Sequence, residues 1–107
     1  MIISELCTLL ESTGLPVVYH SFKASKMEAE TPPYIVYFAT KSKNSAADNK
    51  VYYKRNAYTA ELYTDTKQIA LEQKLEDAFD EASIVYEKTE TYLDTEEMYQ
   101  ISYEIEI

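Results

Sequence analysis

The sequence predicts an α+β fold: an antiparallel sheet, open to mixed pairing, with two helices packed on one face in the order α-β-β-β-α-β-β. Three observations carry that expectation. Apolar residues recur at helical spacing in two segments, at about residues 2–13 and 66–82. Between and after these lie five runs rich in β-branched and aromatic residues, bounded by proline, charged or turn-forming residues. In the last run Tyr99, Ile101, Tyr103, Ile105 and Ile107 alternate with Gln100, Ser102, Glu104 and Glu106, which gives one apolar and one acidic face, as in a sheet covered on one side only. The 107 residues suit one domain, 1–107, with no repeat and no internal linker.

The first helix is read from "IISELCTLLESTGLP", where Ile2, Leu6, Leu9 and Leu10 share a face. Gly14, the only glycine, is followed by Leu15 and Pro16, the order that ends helices, and a position needing positive φ is where that glycine matters most. "VVYHSF", residues 17–22, and "YIVYFAT", residues 34–40, read as strands, the second entered through Pro32 and Pro33 where a missing N–H costs little. In "AYTAELYT" Tyr58, Ala60 and Leu62 alternate with Thr59, Glu61 and Tyr63 as a third strand. Asp65 is placed to cap the second helix, with Gln68 three residues on. Along that helix Leu71, Leu75, Ala78, Phe79 and Ala82 form the apolar stripe, and Glu72, Glu76, Asp77, Asp80 and Glu81 the polar side. "SIVYEKTETYL" and "MYQISYEIEI" are the last two strands, and the "DTEE" between them is short enough for a hairpin.

Composition narrows the function. The longest uninterrupted apolar stretch, residues 34–39, is far short of the ~20 residues needed to cross a bilayer, so a soluble protein away from the membrane is expected. The N-terminus has no secretion signal, which points to the cytoplasm. Cys7 is the single cysteine, which excludes an internal disulfide and suits packing within a helix. The net charge of -9 is unevenly placed: residues 1–57 have seven Lys and Arg against five Asp and Glu, and residues 58–107 three against fourteen. Such a surface repels nucleic acid, and its simplest reading is a solvated face. His20 is the only histidine, and one glycine cannot build a phosphate cradle. No nucleophile elbow, dinucleotide fingerprint or metal spacing is present. The sequence therefore predicts no enzyme, no cofactor and no metal. Eleven tyrosines without a tryptophan suit half-buried sheets and protein interfaces alike.

The order of elements, together with "GLPVVYHSF", "PPYIVYFAT", "SAADNKVYY", "YTAELYTD", "EQKLEDAF" and "EKTETYLDTEEMYQISYEIEI", resembles the small tail-terminator or tail-completion proteins of long-tailed phages and prophages of Gram-positive bacteria. The resemblance covers nearly the whole chain and includes no catalytic motif. It implies a homo-oligomeric ring, commonly a hexamer, that caps the tail tube and meets the head connector in the virion. DNA then passes through the ring without specific binding. Under this resemblance Glu72, Glu76, Asp77, Asp80, Glu104 and Glu106 are candidates for an acidic channel lining. The alternative is a small cytoplasmic adaptor that holds a protein partner on a tyrosine-rich sheet.

Residues 41–57 are expected to be an extended basic loop. Five cations in a connection longer than a hairpin requires mark either an assembly arm or a merely solvated tip. The candidate residues are Lys41, Lys43, Asn49, Lys50, Tyr52, Tyr53, Lys54 and Arg55.

Overall fold

A computed structural model describes residues 3–23, 25–26, 31–47 and 50–107; for 41–47 and 50–55 the description is of the backbone. Helix α1 spans Ile3–Glu11, with Leu6 and Leu10 fully buried. It ends as the sequence predicts. Gly14 has φ +83° and donates its N–H to the Glu11 carbonyl at 3.0 Å. A Cβ at Gly14 would meet nothing within 4 Å, so the backbone angle alone calls for glycine.

Strand β1 is Val17–Tyr19, shorter than residues 17–22. His20 adopts φ 68° and turns the chain out of the sheet, so it lies just past the strand rather than inside it. β1 pairs in parallel with β2, Tyr34–Ala47, which makes the sheet mixed.

The largest correction concerns residues 41–57. They do not form a connecting loop: β2 and β3, Lys50–Thr64, remain paired from Tyr34↔Tyr63 to Ala47↔Lys50. The sequence of this extension has no sustained period-two alternation of apolar and polar residues, yet the backbone hydrogen bonds of a hairpin form without one. Register shifts between Ala39 and Lys41 and between Ser45 and Ala46 mark bulges along it.

Helix α2 spans Ile69–Glu81 and starts later than expected. Gln68, with no side-chain capping bond, takes the position assigned to Asp65. β4, Tyr86–Leu93, and β5, Met98–Glu106, make the predicted hairpin, with Glu97 at φ 53° in its turn. The sheet order is β1-β2-β3-β5-β4, with every pair except β1–β2 antiparallel.

The helices lie together on one face. Leu6, Leu10, Leu75 and Phe79 pack on Ile35, Tyr37, Tyr58, Ala60, Leu62, Ile101, Tyr103 and Ile105, the inward residues of the three central strands. Each such Leu, Ile or Phe contributes about 1.5–3 kcal/mol by leaving water. Phe79, Tyr86 and Tyr103 form an aromatic group with ring centroids 5.5–5.6 Å apart. Among the described residues no helix is long and apolar enough to cross a membrane.

Candidate assembly surface

The acidic candidates do not share one surface. Glu72 lies on the same side of α2 as Leu75 and Phe79, and only 3% of it is exposed. Its carboxylate meets Lys67 at 2.7 Å and Lys88 of β4 at 2.9 Å. Lys67 also pairs with Glu90. One turn on, Glu76 takes Lys88 at 2.8 Å and the Tyr103 hydroxyl at 2.7 Å, with Tyr86 donating at 3.3 Å. Burial works against charge on both carboxylates, but the bonds from Lys67 and Lys88 to Glu72, and from Lys88 and Tyr103 to Glu76, outweigh it and hold both below the ordinary value. Burial likewise opposes the Lys88 charge, and its bonds to Glu76 and Glu72 prevail, raising it to about 12. Tyr103 is pushed up by burial first and then by its bond to Glu76. These carboxylates therefore fasten α2 to the sheet.

The other four acidic candidates are divided by the sheet. Asp77 and Asp80 are exposed on α2, above the core face. Glu104 and Glu106 alternate with Tyr103 and Ile105 on β5 and so belong to the opposite, open face, with Glu104 exposed and Glu106 half-buried. Register sets Glu104 directly across from Glu87 of β4, also exposed.

Elsewhere the open face is aromatic and hydrogen-bonded. Tyr34 stacks on Tyr63 at 5.1 Å, and Phe22 meets Tyr34 edge-on at 4.9 Å. Glu61 accepts from the Tyr63 hydroxyl at 3.0 Å and from Gln100 at 2.9 Å. Burial is the main cause that pushes the Tyr63 hydroxyl up to about 12. His20 is exposed and faces Phe38, with ring centroids 6.4 Å apart. Cys7 is half-buried against the core, its thiol 3.4 Å from Glu11. Among the described residues no group of three or more His, Cys, Asp or Glu is arranged to hold a metal ion.

Among the described residues three stretches of backbone are open to further pairing: the outer strands β4 and β1, and the hairpin beyond Ala39. β4 is an outer strand, and it stays exposed along most of its length. On the other side β1 covers β2 only at Ile35–Tyr37, and among the described residues no third strand pairs with 41–47 or 50–55. Lys41, Lys43, Lys50, Tyr52, Tyr53, Lys54 and Arg55 all belong to this two-stranded extension; their side chains, and Asn49 altogether, lie outside the described residues. Sequence reasoning missed the β4 edge. Its signal was the string "EKTET", too polar on both faces for a central strand.

No protein-family model matches the chain, and no curated protein matches it.

Proposed function

We propose that this protein is a structural subunit of a phage or prophage virion, of the tail-terminator type, that assembles into a homo-oligomeric ring, in a hexamer if it follows its resemblance. On this reading it performs no reaction and needs no cofactor. Its partners are further copies of itself, the tail tube protein below and the head-connector proteins above, at the head–tail junction. DNA passes through the ring without being gripped, as an acidic surface favours.

The observation that supports the reading best is the extended hairpin. An isolated two-stranded ribbon is marginal in water and gains from a third strand or a surface to lie on. Here the ribbon has five Lys and Arg against one Asp, on a chain whose net charge is -9. A ring of identical copies offers such a ribbon an oppositely charged neighbour. Negative-stain electron microscopy and native mass spectrometry of the purified protein test this. Closed rings with a central hole are expected, and a prophage lacking the gene should accumulate filled heads and separate tails. Joined, infectious particles from that deletion overturn the virion role.

A second reading, the protein-binding adaptor, draws on the aromatic group of Phe22, Tyr34 and Tyr63 on the open face. Under it the protein stays monomeric and binds one partner, so the same mass measurement separates the two.

A further inference from the structure

We infer that the subunits join by strand addition, the free β2 edge of one copy's hairpin, residues 41–47, pairing with the β4 edge, Tyr86–Leu93, of the next. This deepens the ring reading and rests on it. Four observations lead to it.

The two edges match in length, seven residues against eight. They lie on opposite sides of the sheet, with β3 and β5 between them, so no chain can close the contact on itself. Charge selects unlike edges. The hairpin edge has Lys41 and Lys43 and no carboxylate, so pairing it with its own kind brings cation to cation. Finally, β4 and β5 already set Glu87 opposite Glu104 on the open face, both exposed, a like-charge cross-strand pair that is unfavourable until a cation comes beside it. A lysine-rich third strand supplies that cation. The exposed Val85 and Tyr92, 85% and 47% accessible, stand at the two ends of the acceptor edge and provide apolar contact.

Because the donor and acceptor are different surfaces, the contact is directional. It therefore generates a ring when the rotation closes and a filament when it does not.

Two variants separate this interface from any other. In the first, Glu87→Lys with Thr89→Lys, both at exposed positions, puts cations on the acceptor edge and leaves the donor intact. In the second, residues 43–55 are replaced by Asn-Gly; the register Ser42↔Asn56 makes this a two-residue turn at the sheet boundary, removing the donor and keeping the body. Circular dichroism and the unfolding midpoint check that each is folded. By sedimentation velocity the parent should associate and each variant alone should be monomeric, the subunit dissociation constant raised about 100-fold or more, in the first by like charges brought together and in the second by loss of the donor strand. An equimolar mixture of the two should give a one-to-one dimer, since the first still has a donor and the second an acceptor. Adding Lys41→Glu and Lys43→Glu to the first variant should restore association. If the parent forms rings and either folded variant does so as well, or if the mixture stays monomeric, strand addition is wrong while the ring reading stands. A parent that is monomeric at every concentration overturns both.

Discussion

Replacing Lys88 with methionine probes the ion pairs that fasten α2 to the sheet. The ammonium lies 2.9 Å from Glu72 and 2.8 Å from Glu76, and methionine keeps much of the stem while removing both bonds. Glu72 retains Lys67, and Glu76 retains the Tyr103 hydroxyl. The loss should therefore fall below the ~3–5 kcal/mol of an abandoned buried charge and above the ~1 kcal/mol of one neutral hydrogen bond. The rise of Lys88 from 10.5 to about 12 converts to about 2 kcal/mol, and because its side chain is 35% exposed, solvent screening reduces this to about 1 kcal/mol. Glu72, almost wholly buried, accounts for the rest, and we expect a total near ~2 kcal/mol, or an unfolding midpoint lower by about 8–16 °C.

The pH dependence gives a second reading of the same variant. Glu72 and Glu76 are held below 4.5, so their contribution is present above that pH and is lost as the pH falls below it. Lys88 is raised, so its share is complete below 10.5 and is lost as the pH climbs through about 12. The gap between parent and variant should be full at pH 7 and should narrow at pH 3. Urea unfolding of the parent, Lys88→Met, Glu72→Gln and the double variant at both pH values measures this. A gap under ~0.5 kcal/mol at pH 7, a gap of the same size at pH 3, or strict additivity of the two substitutions refutes the account.

Two further outcomes are expected. Gly14→Ala should lower stability by about 1 kcal/mol through backbone strain alone, since space is free around that position, and Gly14→Asn should cost less; equal midpoints for parent and alanine variant would contradict this. The native protein should not bind duplex DNA at ~0.15 M salt, whereas Asp77→Lys, Asp80→Lys and Glu104→Lys together should create an affinity that falls steeply with added salt in a fluorescence anisotropy titration; tight binding by the native protein would sink the repelling surface.

The helices and the central strands were legible because they bury a periodic face. Leu75 with Phe79, and Ile101, Tyr103 and Ile105 at period two, are the residues at the bottom of the core. What escaped had no such period. The hairpin beyond Ala39 is paired along its backbone, and a stretch without sustained alternation says nothing about pairing. β1 ended early because a single backbone angle at His20 departs from the strand, and histidine enters that region without a sequence warning. The parallel partnership of β1 and β2 depends on the path of the connection between them, which local patterns do not encode. Glu72 and Glu76 were assigned to the solvent side by residue type, although Glu72 precedes Leu75 by three and Phe79 by seven, the spacing of the buried stripe. The missing element was Lys88, distant in sequence and brought opposite them by β4.

The place of β5 in the sheet bears on how the chain is made. β3 and β4 are both synthesised before β5, yet they are not neighbours; among the described strands β4 pairs only with β5 and so joins the sheet only through it. Until β5 pairs, the inward residues of β3 lack half of their lateral support, and Phe79 lacks Tyr103. The growing chain therefore cannot settle into its sheet element by element as it leaves the ribosome. It waits with the β3 edge unfilled, a state prone to capture by other chains, until β5 pairs with β3 and carries β4 with it.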